Sequence, residues 1–529
     1  MNTPMARPAP EPLFAASRRE FLAGALGLGG AALLARAPVA GAEAGDSGLA
    51  FASAVEAALA VEQRRVSSVE LTRLVLDRIE RHNPALNAYV NVLAESALVR
   101  AKEADAALAR GDRWGPLHGV PVCVKESFAI AGVPATVGLE ELARHRPVRD
   151  AEAVARLRAA GAVVVGNTNV PVMLWDWQSD NPVYGTTRNP WHLGRTPGGS
   201  SGGSAAALAA GLCYLSVGSD IGGSIRIPAH FCGVYGHKPT LNVVSRRGHL
   251  PPPDAPPRPP TDLPVAGPMA RGAEDLEVAL RVLGGPDGDD AIAYRWTLPP
   301  ARHERLADYR IGFVLDDPLC PVSDDVKEVL VAAVEALRRT GLKLEEGWPE
   351  GVSPREQFDT YWYLLSAFFA FDLKDEDLER ERAKAADPDG GRDTLRARAR
   401  VDPHKHFQAA STRRMVARAA WQSYFETHDA FLLPPDFVAA FPHDHSQPME
   451  ARRLATPRGD RDYLDQLFWI SFATLTGLPA TTAPVGLTRE GLPTGIQILG
   501  PYLEDATPID VARRMAGVVG GFRPPPGYA

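Results

Sequence analysis

Short apolar segments alternate with helix-forming segments along most of the chain, and this alternation restricts the fold more than any other feature. Residues 66–83 carry apolar side chains at helical spacing behind Ser67 and Ser68, either of which can cap the first turn. Residues 119–124 and 163–166 are short apolar runs typical of buried strands. Strands that alternate with helices favour layered packing. The sequence therefore predicts a single large α/β domain, with a mixed, mostly parallel β-sheet covered by helices on both faces.

Composition and charge narrow the class of protein. Of 529 residues, 45% are hydrophobic and 23% are charged, as in ordinary globular proteins. The formal net charge is −7 and the chain has no long basic run, so a nucleic-acid partner is not expected. Its four cysteines form no Cys-x-x-Cys pair, which argues against a zinc site or a dithiol motif. The apolar neighbours of Cys123 and Cys213 predict buried thiols.

The first 42 residues have the layout of an export signal. Arg18 and Arg19 precede an apolar stretch over residues 21–35, and residues 40–42 offer a small-residue cleavage site. The paired arginines favour the twin-arginine route, and the apolar stretch is shorter than the roughly 20 residues that a spanning helix needs. We expect residues 1–42 to be removed and residues 43–529 to act in the periplasm or outside the cell, without stable membrane anchoring. A retained anchor is the alternative.

A glycine-rich segment over residues 196–228 contains two candidate nucleophiles, of which Ser224 is the first. It follows a predicted strand and a glycine pair, and glycine lets the backbone bend tightly around a ligand. We expect four N–H groups to converge there on one oxygen, as acyl transfer requires; they belong to Ile221, Gly222, Gly223 and Ser224. The alternative is a simple glycine turn between two strands.

Ser200 is the second candidate, because Gly198-Gly199-Ser200-Ser201-Gly202 satisfies the G-x-S-x-G pattern of α/β-hydrolases. That pattern requires a buried strand before the serine, and residues 191–197 do not resemble one. It also requires a downstream histidine base. The available histidines lie in polar segments that we expect to be surface loops rather than metal sites: His404, His406, His443 and His445. An esterase that uses Ser200 stays an alternative.

Lys125 ends the apolar run of residues 119–124 and is a candidate base. Burial favours the neutral amine of a lysine, and a neutral amine can activate a serine hydroxyl. The alternative is a lysine that reaches solvent or pairs with Glu126.

Taken together, these segments closely resemble the amidase signature family. Lys125 precedes Ser200 by 75 residues and Ser200 precedes Ser224 by 24, as in the Lys–Ser–Ser pattern of that family. Flanking motifs match as well, and the resemblance covers residues 49 to the C-terminus; the matching motifs are residues 116–121, 181–185, 226–228, 231–233, 238–240, 476–480 and 491–493. Several motifs in the right order make this resemblance far more specific than any single pattern.

The resemblance implies a reaction and a role for each residue. Ser224 is then the nucleophile, Ser200 carries the proton, and Lys125 is the base in hydrolysis of carboxylic amides through an acyl-enzyme, with esters or carbamates as further substrates. Ser200 would follow a cis peptide bond, and no metal or organic cofactor is needed. The expected supporting residues are Ser201, Asp220 and Arg226. Glu126 and Ser219 replace an aspartate and a threonine that are common in the family, and both changes are conservative.

The substrate is predicted only as a class. Met173, Trp175 and Trp177 lie in a segment that borders the pocket in related enzymes, and residues 357–371 are rich in aromatic side chains. A small-molecule amide with an aryl or other apolar acyl group is therefore expected, and core packing is the alternative for the tryptophans. Within the same family, the alternative function is that of an amidotransferase subunit in a larger complex, and the export signal argues against it. We expect a monomer or homodimer.

Overall fold

Strands from distant parts of the chain form one sheet in the computed structural model, which describes residues 46–250, 262–370 and 373–529. The predicted export signal over residues 1–42 lies outside the described residues, and Asp46–Ala529 forms one compact unit. The strands are β1 (Tyr89–Val92), β2 (Pro121–Lys125), β3 (Val163–Thr168), β4 (Leu215–Asp220), β5 (Tyr235–Lys238), β6 (Val265–Ala270), β7 (Arg310–Phe313), β8 (Lys343–Glu346), β9 (Ala430–Leu433), β10 (Arg453–Leu454), β11 (Arg461–Asp462), β12 (Ala480–Leu487) and β13 (Pro493–Leu499).

The large sheet is mixed. Its strand order is β1-β3-β2-β4-β6-β5-β12-β13-β9-β7-β8, while β10 and β11 pair separately. Within the described chain, β2 runs parallel to β3 and β4, and β7 runs parallel to β8 and β9. The other neighbours in this sheet are antiparallel. The predicted α/β domain with one large mixed sheet is confirmed, and its parallel strands form two groups separated by antiparallel ones.

Helices connect and cover the strands. They are α1 (Asp46–Ala50), α2 (Ala54–Glu62), α3 (Ser68–Leu86), α4 (Ala94–Ala109), α5 (Glu152–Ala159), α6 (Gly202–Ala209), α7 (Arg226–Cys232), α8 (Ala273–Leu283), α9 (Asp290–Ala293), α10 (Asp324–Arg338), α11 (Pro354–Phe368), α12 (Asp375–Ala385), α13 (Gly391–Val401), α14 (His404–Tyr424), α15 (Leu467–Thr476) and α16 (Ala506–Val519). Within the part of the chain that the structure describes, no helix is long and apolar enough to cross a membrane.

Local sequence explains where these helices begin and end. The Ser67 side chain, one of the two expected caps, caps α3, and the Glu70 carboxylate accepts the Ser67 N–H, which completes a capping box. Asn87 ends the same helix in the left-handed conformation, with φ of 51°. Such local signals act over a few residues, so they are visible in the sequence before any packing is known.

The carboxyl ends of the neighbouring strands β2 and β4 lie side by side at the same end of the sheet. β2 and β4 are parallel and buried along their whole lengths, with Val124 opposite Val217. Because parallel neighbours end at the same edge, Lys125 at the end of β2 lies beside Ser219 and Asp220 at the end of β4. The loop after β4 leads directly into α7, so the fold places the glycine-rich segment next to the lysine.

Candidate active site

Lys125 is fully buried and points at two hydroxyl groups. Its Nζ donates to Ser200 Oγ at 2.6 Å and to Ser219 Oγ at 2.9 Å. Glu126 does not pair with it, because that carboxylate accepts the N–H groups of Thr136 at 2.5 Å and Val137 at 2.9 Å. The lysine therefore neither reaches solvent nor forms an ion pair with Glu126, and its amine faces Ser200.

Burial also changes the charge of Lys125. Loss of contact with water lowers the pKa of its ammonium group to about 7, and the negative charge of Asp220 opposes that shift. A substantial fraction of the amine is therefore neutral near neutral pH. A neutral amine within hydrogen-bond distance of a hydroxyl can accept its proton.

Ser200 lies in a turn that only glycine neighbours allow. The Gly199–Ser200 peptide bond is cis, as the resemblance implies. A Cβ on Gly199 would lie 2.3 Å from the backbone oxygen of Asp176, and Gly198 has a φ of +87°. The helix that follows, α6, begins at Gly202. The turn thus holds Ser200 at the helix entrance, facing the lysine.

The turn containing Ser200 is tied to the loop that carries Ser224. The N–H of Ser201 donates to the backbone oxygen of Ser224 at 3.2 Å, and its hydroxyl contacts the Ser219 backbone. Among the hydrogen bonds of the described residues, however, none joins the hydroxyls of Ser200 and Ser224. The structure brings Lys125 and Ser200 together, and the Ser224 hydroxyl, beside a cavity, has no hydrogen-bond partner among the described residues.

The loop of residues 221–224 offers fewer free donors than the sequence suggested. The N–H of Gly223 donates to Asp220 Oδ1 at 3.1 Å, which removes Gly223 from the expected oxyanion hole. The reason is that the Asp220 side chain folds back over its own loop. The N–H groups of Ile221, Gly222 and Ser224 have no acceptor among the described residues. Three of the four expected donors are thus available to a ligand.

Asp220 and Arg226 form a buried ion pair beneath this loop. Two Arg226 nitrogens donate to the two Asp220 oxygens at 2.7 and 3.0 Å, and both side chains are inaccessible to solvent. Arg226 also binds the Ile470 backbone oxygen, Gln497 and Thr474. All polar side-chain atoms of Asp220 and Arg226 have hydrogen-bond partners, so the pair fixes the loop rigidly.

Two aromatic residues hold the same loop from the other side. Tyr361 donates its hydroxyl to the Ile221 backbone oxygen at 2.8 Å, and Trp177 donates its Nε1 to the Gly222 backbone oxygen at 2.8 Å. In a trans peptide the N–H points opposite to the C=O. By binding the Ile221 carbonyl, Tyr361 thus sets the direction of the Gly222 N–H. Residues 357–371 were expected to shape the pocket, but nothing in the sequence singled out this hydroxyl.

A cavity opens beside Ser224, with about 690 Å³ of empty space, part of it open to solvent. Ile221 and Gly222 also line it. Its aromatic walls are Trp175, Trp177, Trp362 and Phe369, and its aliphatic walls include Leu174, Leu365, Met449, Leu464 and Leu467. The predicted positions of Trp175 and Trp177 are thus at the cavity. Trp175 is 41% exposed and packs edge-on against Phe369.

Met173 was expected at the cavity, and that expectation is wrong. It lies in the short turn Val172–Leu174 with its N–H bonded to the Val137 backbone oxygen at 2.8 Å. Its φ is 51°, and it is 37% exposed. Met173 is not among the described residues that line the cavity.

The histidine alternatives find no support. Residues 191–197 lie outside every strand of the described sheet, and Ser200 Oγ accepts its hydrogen bond from Lys125. His404 and His406 lie in the first turn of α14 and not in a loop as expected, because Pro403 directly precedes the helix. Within the described ranges, no group of three histidine, cysteine or acidic side chains is placed to hold a metal ion. The four cysteines are buried free thiols, with Cys123 Sγ 3.2 Å from Cys213 Sγ.

Comparison with known proteins gives one family. The family model described as Amidase matches residues 70–508. A glutamyl-tRNA(Gln) amidotransferase subunit of Anaeromyxobacter sp. (strain K) is 34% identical over 491 residues, covering 89% of this chain and 97% of the relative.

Solved structures of similar fold point to the same family. The structure of a bacterial aryl acylamidase of the amidase signature family is 25% identical in sequence with a TM-score of 0.73, and the match covers 88% of this chain and 96% of the acylamidase. The structure of a 6-aminohexanoate cyclic dimer hydrolase is 25% identical in sequence with a TM-score of 0.71, and the match covers 90% of this chain and 99% of the hydrolase. The chain belongs to the amidase signature family.

Proposed function

We propose that this enzyme hydrolyses carboxylic amides through an acyl-enzyme on Ser224, with Ser200 and Lys125 as the proton relay. The observation that carries the proposal is the 2.6 Å hydrogen bond from the fully buried Lys125 amine to Ser200, next to the loop that presents Ser224 to a cavity. Amide hydrolysis is supported for the family to which the chain belongs. No metal or organic cofactor takes part in the proposed cycle.

In the proposed cycle, Ser224 Oγ attacks the amide carbon while its proton passes through the Ser200 hydroxyl to the neutral amine of Lys125. The N–H groups of Ile221, Gly222 and Ser224 donate hydrogen bonds to the developing oxyanion. The C–N bond then breaks, and the leaving nitrogen takes the proton back along the same relay. Water then attacks the acyl carbon and gives a proton to Lys125 through the same relay. The bond from that carbon to Ser224 Oγ breaks, Oγ takes the proton back, and the acid is released. The cycle requires the Ser224 hydroxyl to turn toward Ser200 when substrate binds.

We propose a linear amide with an aryl or other apolar acyl group as the substrate. The mainly apolar walls of the cavity support this class, with Trp177 only 6% exposed and Trp175 at its entrance. The similar aryl acylamidase structure supports a substrate with an aromatic group next to the amide. Turnover of primary amides, anilides, peptide amides and carbamates by the purified chain would rank these substrates.

Amide transfer within a multi-protein complex is the second candidate function, favoured by the 34% identity to a glutamyl-tRNA(Gln) amidotransferase subunit. The predicted twin-arginine signal around Arg18 and Arg19 supports the stand-alone hydrolase, because the amidotransferase would act with tRNA in the cytoplasm. Fast anilide hydrolysis by the isolated chain favours the hydrolase. Glutamine hydrolysis that appears only with partner proteins favours the amidotransferase.

Labelling with a fluorophosphonate tests the proposed nucleophile. We expect the adduct on a peptide containing Ser224, no adduct in Ser224→Ala, and slow labelling in Ser200→Ala. Ser366→Ala is the matched control, because Ser366 lines the same cavity outside the proposed relay, and it should label at the native rate. An adduct mapped to Ser200 would establish the esterase alternative instead.

A further inference from the structure

Two arginines reach the otherwise mainly apolar cavity that contains Ser224. Arg396 and Arg400 lie four residues apart on α13 (Gly391–Val401), so they share one face of the helix. Their side chains are only 18% and 17% exposed. A guanidinium group that is largely withdrawn from water needs hydrogen-bond partners, because its lost contacts with water are otherwise not replaced.

The donor capacity of these two arginines is only partly used by the protein. Arg226 and Arg452, which are also withdrawn from water, donate hydrogen bonds to carboxylates and backbone oxygens. By contrast, none of the hydrogen bonds among the described residues is donated by Arg396 or Arg400. The Nε atoms of both are buried without a partner. Both side chains thus line the cavity while at least one donor of each has no acceptor among the described residues.

Acidic neighbours lie near both arginines. Arg396 is 3.0 Å from Asp393 and 3.6 Å from Glu450, whose side chains are 71% and 41% exposed. Arg400 is 3.2 Å from the buried Glu381. Water screens the charges of Asp393 and Glu450, so these contacts offset only part of the charge of Arg396, whereas the buried Glu381 offsets more of the charge of Arg400. The Nε donor of each arginine has no acceptor among the described residues.

We propose that the substrate carries, away from its scissile amide, a carboxylate that Arg396 and Arg400 bind. A carboxylate matches the paired donors of a guanidinium group better than any neutral group does. The apolar walls between these arginines and Ser224 then contact an apolar spacer. This inference rests on the proposed function and narrows its substrate class to amides of apolar acids that bear a second, free carboxylate.

A pair of substrates measures this preference directly. One is the 4-nitroanilide of a linear dicarboxylic acid with one free carboxylate, and the other is the 4-nitroanilide of the ω-hydroxy acid of equal length. We expect the native enzyme to favour the first by about tenfold in kcat/KM, mostly through KM, as for a charged hydrogen bond of about 1.4 kcal/mol. Arg396→Gln and Arg400→Gln should each bring this ratio close to one. Using a ratio cancels any loss of folded enzyme.

Arg398→Gln is the matched control. It removes the same charge from the same helix, but Arg398 is exposed and is not among the described residues lining the cavity. The ratio should stay at its native value in this variant. A native ratio of one, or a ratio that survives both Arg396→Gln and Arg400→Gln, would overturn the proposal.

Calorimetry separates this inference from the proposed function. If the native enzyme cleaves neither anilide, the proposed function fails, and binding of the same two compounds still tests the carboxylate site. We expect the carboxylated anilide to bind about tenfold more tightly than its hydroxy analogue, and Arg396→Gln to abolish that difference. Equal affinities in the native protein would reject the site whatever the enzyme hydrolyses.

Discussion

Lys125 shows how burial sets the chemistry of a single residue. The apolar run of β2 carries the lysine to a fully buried position, and burial lowers the pKa of its amine to about 7. The strand, the lysine and both serines could be predicted from the sequence and the family resemblance, because each lies in a local motif. The loss of the Gly223 donor could not, because it depends on how the Asp220 side chain folds back.

The lowered pKa of Lys125 predicts the pH dependence of turnover. The proposed base works only when unprotonated, so kcat/KM should rise about tenfold per pH unit below pH 7 and level off above about pH 8. The measurement is kcat/KM for an anilide from pH 5.5 to 9.5. Lys125→Arg keeps the positive charge but cannot lose its proton in this range, and it should lower kcat/KM by at least about 100-fold.

A flat profile between pH 6 and 9 would exclude Lys125 as the base. Lys102→Arg is a suitable control, because this exposed lysine lies on α4 away from the cavity. Its profile should coincide with that of the native enzyme.

At the scale of elements, helix α11 connects one wall of the cavity to the loop carrying Ser224. Tyr361 binds the Ile221 carbonyl, while Trp362 and Leu365 of the same helix line the cavity. The helix begins with a Ser353 cap and Pro354 in its first turn, which are local signals. Its contact with residue 221 could not be predicted from the sequence, because 140 residues separate the two partners.

Tyr361→Phe should slow acylation without weakening substrate binding. The variant removes the hydroxyl that orients the 221–222 peptide, so the Gly222 N–H is less well directed at a developing oxyanion. Direct loss of such a donor costs about 100-fold or more, and we expect about tenfold in kcat for this indirect effect, with KM within about twofold. Stopped-flow anilide kinetics measures both. Tyr363→Phe, on the same helix and bonded at 3.4 Å to Asp402, should match the native enzyme; equal losses in both variants would refute the positioning role.

At the scale of the whole molecule, buried polar contacts join segments that are far apart in the chain. Asp505, just before α16, accepts the N–H and hydroxyl of Thr240 at 2.7 Å each and contacts His237 at 3.1 Å. His237 lies in β5 and Thr240 lies just after it, and both are more than 260 residues before Asp505. Sequence patterns predict some strands of this sheet individually, such as residues 119–124 and 163–166, but the order of strands depends on such long-range contacts and was not predictable.

Asp505→Ala should destabilise the enzyme by about 3 kcal/mol, because it leaves buried donors of Thr240 and His237 without an acceptor. Urea unfolding followed by circular dichroism measures this free energy. Arg513→Ala is the control, since it removes a partly exposed ion pair from α16 and should cost at most about 1 kcal/mol. A similar loss in both variants would show that the Asp505 contacts add nothing specific.

The separation of the cavity walls along the chain has a consequence for how such enzymes diversify. Lys125, Ser200 and Ser224 all come from the first half of the chain, whereas α11 and α13 supply the opposite wall from residues 354–401. Mutations in those two helices therefore alter what is accepted without touching the reacting groups, as long as Tyr361 is kept. Enzymes of this architecture can therefore evolve new substrate ranges through substitutions in α11 and α13, while the groups proposed to carry out the reaction stay the same.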